Sequence, residues 1–253
     1  MKDMASILSL ANLDVHVHSP YSECCADITL EKLRQKAKEK NIIYAITDHS
    51  SHLYFPREMA WCMHFNDNFK ELWEQYRVSG RESILKYIKE MKAGAPLTGV
   101  ELDIYPDGTL IFEEDLFGKL DIVLGAVHFL SAVKKKQSAE EIIKEFRYLT
   151  EIIVSSGRIH VLAHPFRILA TNKIPVADEL IKWTLELCAA YEVAVEINSH
   201  YKYPENDSRM LIAALERNVR IVYGSDAHFL REFGDYSYHE QICSINVNRF
   251  NIY

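Results

Sequence analysis

Short apolar runs alternate with helical spacing along most of this chain. Ile42–Thr47, Asp121–Val127 and Ile159–Ala163 are rich in aliphatic and β-branched residues and have the length of buried strands. Over 30–40 and 142–153 the apolar residues instead recur every three or four positions, which is the spacing of one helical face. A succession of about seven such strands, most of them followed by a helix, predicts an α/β fold of parallel βαβ units closed into a barrel.

Capping signals mark the ends of two of these helices. Thr29 stands before the first helix, and Asn41 is suited to ending it in a left-handed turn. Ser138 and Glu141 form a capping box ahead of the longer helix. The first helix is therefore predicted to run through Lys40, and the second to begin directly after Ser138.

Residues 50–97 interrupt the alternation of strands and helices. Ser51–Asn68 is irregular and aromatic, whereas the apolar spacing over 69–76 and 84–91 predicts two helices. We interpret 50–97 as an insertion that forms a lid or one wall of a pocket. The alternative is that its aromatic residues only pack it onto the body of the fold.

The first strand carries polar side chains at every second position. Asp14, His16 and His18 are predicted to share one face, with Val15 and Val17 on the other. Two imidazoles two residues apart on a strand can both reach one metal ion. The alternative is a half-exposed strand with two solvated histidines, and this motif alone does not decide between the two.

Ionisable residues recur inside or directly after the other predicted strands. Barrel closure would bring these strand ends to one rim, where the chemistry of such barrels is found. A single histidine or glutamate there is usually a hydrogen-bonded structural group, but so many on one side favour a metal centre. Ligands of this kind without cysteine suit Zn, Mn or Fe, and more than four imply more than one ion. The candidates are His16, His18, His49, Glu101, His128, His164, Glu196, Asp226 and His228.

Composition narrows the possible partners. The formal net charge of -7 argues against a general affinity for nucleic acid, whose phosphates require a cationic surface. The five cysteines form no C-x-x-C pair, and no segment reads as a signal peptide or a membrane span. We therefore expect a protein of the reducing cytoplasm with no membrane partner.

Taken in order, the candidate residues resemble the motifs of the polymerase and histidinol phosphatase (PHP) family. That family has H-x-H near its N-terminus, then T-D-H, a Glu after a Gly-aliphatic pair, a further His, A-H-P, E-I-N and S-D-A-H. The resemblance runs from residue 14 to about residue 230. The matching segments are His16-Val17-His18, Thr47-Asp48-His49, Gly99-Val100-Glu101, Val127-His128, Ala163-His164-Pro165, Glu196-Ile197-Asn198 and Ser225-Asp226-Ala227-His228.

The resemblance implies a distorted (β/α)7 TIM-like barrel, here a single domain over 1–253, with three divalent ions of Zn, Mn or Fe. By position, the ligands implied for the first ion are His16, His18, Glu101 and Asp226. Those implied for the second ion are Glu101 as a bridge, His128 and His164. Those implied for the third ion are His49, His228 and Glu23.

Some positions near these motifs depart from the pattern or carry separate roles. Glu23 stands where many family members have an aspartate, and two cysteines follow it. Asp14 and Asp48 flank ligands and could orient imidazoles, and direct coordination by Asp48 stays open. Arg167 follows the A-H-P motif and suits a phosphate grip, with a surface arginine as the alternative.

The predicted activity is hydrolysis of a phosphate monoester by hydroxide formed between two of the ions. Arg167 would hold the phosphate, and Asp226 or His228 would protonate the leaving alkoxide. L-Histidinol phosphate or a similar small phosphorylated metabolite is the substrate that the resemblance implies, with inorganic phosphate as a product. The alternatives are a phosphodiesterase or 3′ exonuclease acting on nucleic-acid ends, which the acidic charge does not favour, and a non-catalytic PHP scaffold module.

Overall fold

Seven parallel strands form the central sheet in the computed structural model, which describes residue 8 and residues 12–61 and 68–250. Their order in the sheet is the order along the chain, from β1 to β7. Each neighbouring pair is therefore joined by a crossover that returns the chain to the same end of the sheet. The strands are Leu13–Val17 (β1), Ile43–His49 (β2), Leu97–Asp103 (β3), Ile122–Ala126 (β4), Val161–Leu162 (β5), Ala194–Asn198 (β6) and Ile221–Gly224 (β7).

The two edge strands meet at one end only, which leaves a nearly closed barrel. The amide of Asp226 donates to the carbonyl of His16 at 2.8 Å, and that of His18 donates to the carbonyl of Ala227 at 3.2 Å. Val17 and Ala227 form a parallel bridge between these bonds. The predicted α/β barrel is confirmed, and its closed end is the one where the strands finish.

Helices cover the outside of this barrel. They are Leu30–Lys40 (α1), Ser50–Tyr54 (α2), Phe69–Ser79 (α3), Arg81–Gly94 (α4), Ser131–Lys134 (α5), Ala139–Ser155 (α6), Arg167–Thr171 (α7), Asp178–Ala190 (α8), Pro204–Glu216 (α9) and Ser237–Phe250 (α10), with a 3-10 turn at Glu114–Lys119. None of the described helices combines the length and the apolar character that crossing a membrane requires.

The predicted capping residues have the geometry expected of them. The hydroxyl of Thr29 accepts the amide of Lys32 at 3.2 Å, and Asn41 has the left-handed φ of 54° that ends α1. The hydroxyl of Ser138 accepts the amide of Glu141 at 3.3 Å at the start of α6. Both helix predictions are therefore confirmed by side-chain contacts as well as by their limits.

The two helices predicted within 50–97 are present as α3 and α4. The prediction that Ser51–Asn68 is irregular is partly wrong. Ser50–Tyr54 forms α2, which begins directly after β2 and buries Leu53 and Tyr54. A helix this short shows no apolar period in the sequence, since it has little more than one turn. His64 and Phe65 of this stretch lie outside the described residues.

Side chains from the strands build two apolar layers. An inner cluster that includes Leu97 and Leu124 fills the barrel, and an outer cluster lies between the strands and the helices. Val15 belongs to the inner cluster and Val17 to the outer one, so the prediction that they share a face is wrong. The cause is a register shift of β1 against β2 between Asp14 and Val17, which interrupts the two-residue alternation.

We expect Gly99→Ala to destabilise the barrel. A Cβ at this position would lie 2.5 Å from the carbonyl oxygen of Ile122 and 2.8 Å from the methyl of Thr47. Because neighbouring strands cannot separate freely, the free energy of unfolding should fall by about 1–3 kcal/mol. Urea denaturation followed by circular dichroism measures this change. Gly118→Ala is the control, since a Cβ there meets no atom within 4 Å, and an equal effect of both variants would contradict the explanation.

Candidate metal centre

Histidines and acidic residues from all seven strands converge at the closed end of the barrel. His16 lies on β1 and His18 directly follows it, His49 ends β2, and Glu101 lies on β3. Glu196 lies on β6, and the remaining residues follow β4, β5 and β7. The side chains of all of them are buried, and they comprise His16, His18, His49, Glu101, His128, His164, Glu196, Asp226 and His228.

Glu101 lies at the middle of this arrangement. Its Oε1 is 2.8 Å from Nε2 of His164 and 3.0 Å from Nε2 of His128. Its Oε2 is 2.8 Å from Nδ1 of His49 and 3.3 Å from Nε2 of His16. A single carboxylate therefore faces imidazoles on four different strands or strand ends, which is the position predicted for a bridging ligand.

Asp226 forms a second point of convergence. Its Oδ1 lies 2.9 Å from Nε2 of His18 and 3.6 Å from Nε2 of His16. Nδ1 of His228 is 3.8 Å from the same oxygen. Asp226 has a left-handed φ of 51°, the conformation that directs the chain out of β7 toward His228.

Several groups of three or four side chains have potential ligand atoms within 4.8 Å of one another. One of the groups, His16 with His18 and Asp226, combines three of the residues implied for the first ion. Two others share Glu101 but combine residues implied for different ions. They are His16 with Glu101 and His164, and His49 with Glu101 and His128. A fourth group joins His18, His49 and His228 to Cys24, which was not predicted as a ligand. A fifth, at the edge of the centre, joins His200, His228 and Glu232.

These side chains fit divalent cations. Nε2 of His16, Nδ1 of His49, Oε2 of Glu101 and Nδ1 of His228 are buried and have no partner in hydrogen-bonding geometry within the described chain. Buried polar atoms without a partner are costly and rare, whereas imidazole nitrogens and carboxylate oxygens are the usual ligands of zinc, manganese and iron. The four atoms face one centre, so cations there would satisfy all of them.

Second partners fix the orientation of two of the imidazoles. Nδ1 of His16 lies 2.9 Å from Oε1 of Glu196, and Nδ1 of His128 lies 2.7 Å from Oδ1 of Asp103. A carboxylate behind an imidazole holds the ring in place and makes its other nitrogen a better ligand. Sequence reasoning missed Asp103, although it lies two residues after Glu101 and so on the same face of β3.

Asp14 and Asp48 position backbone more than imidazoles. Oδ1 of Asp14 accepts the amide of Ser225 at 2.9 Å, which joins β1 to the loop after β7. The carboxylate of Asp48 accepts the amide of Ser19 at 2.8 Å and its hydroxyl at 2.6 Å. Asp48 thus holds the loop that follows β1 and lies 3.9 Å from Nδ1 of His18.

The structure places Glu23 beside the centre rather than in it. Its amide donates to Nδ1 of His52 at 2.9 Å, and Oε1 lies 3.7 Å from Nε of Arg57. The Glu23 side chain is 35% exposed. It belongs to none of the potential ligand groups found among the described residues, and the adjacent Cys24 does.

Arg167 borders a small pocket next to His164. Its guanidinium carbon lies 4.6 Å from the ring centre of Tyr201, and its buried Nε has no hydrogen-bond partner within the described chain. Asn198 and Tyr203 complete the wall of this pocket. By contrast, Arg209 forms an ion pair with an aspartate of α8, which directs it away from the centre.

The insertion contributes an aromatic side chain to the opposite wall. The ring centre of Trp61 lies 4.9 Å from that of His49 and 6.2 Å from that of His128, with both pairs edge-to-face. His52 lies 4.6 Å from the same indole. The 50–97 segment therefore borders the centre, as a pocket wall would.

Burial and charge act in opposite directions on the ionisable groups here. Burial raises the pKa of Glu101, but the charges of His49 and His128, foremost among its neighbours, hold that pKa well below its usual range. Burial lowers the pKa of His128, but Glu101 and Asp103 together raise it to about 9. In the metal-free protein, protons on imidazoles thus compensate the negative charge of the carboxylates.

Two comparisons relate the chain to known proteins by sequence. Residues 14–200 match the family model described as the PHP domain. DNA polymerase/3'-5' exonuclease PolX from Bacillus subtilis (strain 168) is 24% identical over 242 residues, which are 92% of this chain. The chain spans 37% of the length of that relative.

A comparison of structures finds a similar barrel. The crystal structure of histidinol phosphate phosphatase from Lactococcus lactis subsp. lactis Il1403, complexed with zinc, L-histidinol and phosphate, matches with a TM-score of 0.54. The match covers 92% of this chain and 94% of that chain at 18% sequence identity. It supports the distorted barrel fold that the motifs implied.

We expect zinc or manganese binding to the metal-free protein to release protons. Because the pKa of His128 is raised to about 9, its imidazole is protonated at pH 7 and must lose that proton to become a ligand. Metal affinity should therefore increase as the pH rises toward 9, and proton release should decline above it. Calorimetric titrations in buffers of different ionisation enthalpy count the protons. His128→Asn should reduce the count at pH 7 by about one, and an unchanged count would contradict this assignment.

Proposed function

The chain belongs to the PHP domain family, and on that premise we propose that it is a metal-dependent phosphoesterase that hydrolyses small phosphate monoesters. The observation that carries the proposal is Glu101, whose two oxygens face His16, His49, His128 and His164 at 3.3 Å or less. A carboxylate surrounded in this way suits two adjacent cations. A histidine with only a structural role would not account for four imidazoles around one buried carboxylate, and neither would an apolar pocket.

We propose three divalent ions of Zn, Mn or Fe at this centre, held by the groups that share Glu101 and Asp226 and by the group around His49 and His228. Such ions lower the pKa of water and neutralise charge on phosphoryl oxygens, which is the chemistry that phosphate ester hydrolysis needs. Glu196 and Asp103 hold the imidazoles of His16 and His128 in their orientation. These contacts reduce the reorganisation that the centre needs during catalysis.

Asp226 and His228 suit cation binding better than proton donation. Burial raises the pKa of Asp226, but His16 and His18 hold it well below its usual range, so the carboxylate is ionised at neutral pH. Burial lowers the pKa of His228 to about 3, so its imidazole is neutral there. We therefore propose both as ligands, with the proton for the leaving alkoxide coming from solvent.

Arg167 is the proposed phosphate-binding residue. Its guanidinium stacks on Tyr201 next to His164. Its Nε, which has no hydrogen-bond partner among the described residues, can donate to a phosphoryl oxygen. Tyr201 and Tyr203 lie beside Arg167 in the same small pocket. L-Histidinol phosphate is the first substrate to test, since the structurally similar phosphatase was solved with L-histidinol and phosphate.

The second candidate is 3′ exonuclease or phosphodiesterase activity on nucleic-acid ends. It is favoured by the sequence similarity to PolX, whose name includes a 3'-5' exonuclease. The formal net charge of -7 opposes it, because extended nucleic acid binds through phosphates to a cationic surface. The third possibility is a non-catalytic scaffold. It is not favoured, because burying so many polar atoms without hydrogen-bond partners costs free energy and would serve no purpose in a scaffold.

Glu101→Gln should abolish most phosphatase activity. The amide keeps the shape but removes the charge that the cations need, so kcat/KM should fall by about 100-fold or more. Phosphate release from p-nitrophenyl phosphate with added Mn²⁺ or Zn²⁺ measures the loss. Glu114→Gln, with a side chain 69% exposed and far from the centre, is the matched control. Full activity in Glu101→Gln, or none in the unmodified protein with any of these metals, would refute the phosphoesterase proposal.

A direct comparison of substrates separates the two enzymatic candidates. With equal metal loading, kcat/KM for L-histidinol phosphate and related small monoesters should exceed that for the 3′ end of a single-stranded oligonucleotide. The reason is that the acidic chain offers one arginine beside a small pocket rather than a basic groove. Release of inorganic phosphate and release of nucleotides are measured in parallel. A faster release of nucleotides would favour the exonuclease.

A further inference from the structure

Cys24 lies among three imidazoles of the candidate metal centre. A potential ligand atom of each of Cys24, His18, His49 and His228 lies within 4.8 Å of every other. We propose that Cys24 supplies a thiolate ligand to the third cation, in the place that the family pattern assigns to Glu23. This inference rests on the proposed metal centre and names a ligand that sequence motifs do not include.

Hydrogen bonds hold the loop of Cys24 between the other ligands. On one side, the hydroxyl of Ser22 accepts the amide of His49 at 3.2 Å. On the other side, the amide of Ala26 donates to the carbonyl of His228 at 2.9 Å. The hydroxyl of Ser22 also lies 3.1 Å from Nδ1 of His18. The loop is thus bonded directly to all three histidine positions, and Cys24 is at its middle.

The same loop turns Glu23 outward. Its amide bonds to His52, and its carboxylate lies 3.7 Å from Arg57 at the edge of the insertion. The sulfur of Cys24, by contrast, lies among the imidazoles of His18, His49 and His228. In this structure the inward residue is Cys24.

Two further observations distinguish Cys24 from a cysteine that only fills space. Nδ1 of both His49 and His228 is buried without a partner in hydrogen-bonding geometry among the described residues, although both side chains are more than nine-tenths buried. Cys25, the next residue, packs against the outer apolar core, whereas Cys24 is not among the side chains that do so. Cys24 therefore lies among potential nitrogen ligands, whereas Cys25 belongs to the apolar packing.

A thiolate changes which metal the third position prefers. Sulfur ligands favour zinc and other softer cations, while a carboxylate at the same place favours manganese or magnesium. A thiolate from Cys24 in place of a carboxylate would make this position selective for zinc over manganese and magnesium. The two positions around Glu101 keep only nitrogen and oxygen ligands and would accept manganese as well.

Cobalt substitution tests the proposal without any substrate. Co²⁺ added to the metal-free full chain should produce a near-ultraviolet thiolate-to-cobalt absorption band, which Cys24→Ser should remove. The band should persist in Cys25→Ser and in Glu23→Gln. Absence of the band in the unmodified chain with three Co²⁺ bound, or its survival in Cys24→Ser, would overturn the proposal.

Metal stoichiometry provides the second measurement. Loss of one ligand should weaken one zinc site by about 10–100-fold, at least the effect of losing an outer hydrogen-bond partner. Cys24→Ser should therefore retain fewer zinc ions after dialysis, and Cys24→Asp should recover the third ion with a preference for manganese. Loss of that ion in Glu23→Gln and its retention in Cys24→Ser would assign the ligand to Glu23 instead.

The unmodified chain supplies a test that no folding defect can obscure. Zinc should protect Cys24 from a thiol-modifying reagent, as located by peptide mapping, and leave the reactivity of Cys25 unchanged. Modification of Cys24 at the same rate with and without zinc would overturn the proposal. A cobalt band without phosphatase activity would refute the proposed reaction only, and activity without the band would refute only the thiolate ligand.

Discussion

Negative charge buried at the end of the barrel is the constraint on which this structure depends. Glu101, Glu196 and Asp226 are almost fully buried, and none of them forms an ion pair with a lysine or arginine in the described part of the chain. An uncompensated buried carboxylate costs several kcal/mol even after relaxation. In the metal-free protein, protonated imidazoles neutralise this negative charge. Bound cations neutralise it without taking up a proton from solution. Metal binding at this end of the barrel should therefore also stabilise it.

The buried carboxylates and imidazoles meet because the whole barrel brings them together. The seven parallel strands lie in sequential order, so their C-terminal ends lie at one rim. The strands pack so closely there that only small side chains fit at some positions. At Gly224 a Cβ would lie 1.8 Å from Oε1 of Glu196 and 2.8 Å from Cβ of His16. Any larger residue would separate Glu196 from the imidazole that it orients. A glycine on β7 thus protects a hydrogen bond between β1 and β6.

The strand ends were predictable because burial, period and chain order all point to the same rim. His16, Glu101 and Asp226 meet as expected, since parallel strands fix where their ends lie. Details that depend on local backbone were not predictable. The register shift in β1 separates Val15 from Val17, and α2 is too short to show a period. Asp103 was overlooked because its partner, His128, lies 25 residues away and only the sheet brings them together.

The loop after β1 is another place where the sequence alone does not predict which side chain acts as a ligand. A motif aligns positions, but the side chain that reaches a cation is decided by the hydrogen bonds of its own loop. Here bonds from Ser22 and Ala26 to the histidine positions set the turn, and the bond from Glu23 to His52 directs the carboxylate outward. Glu23 is longer than the aspartate of the family pattern, and its carboxylate lies near Arg57. The sulfur of the adjacent Cys24 faces the imidazoles instead. The ligand type, and with it the metal preference, follows from that turn rather than from the motif.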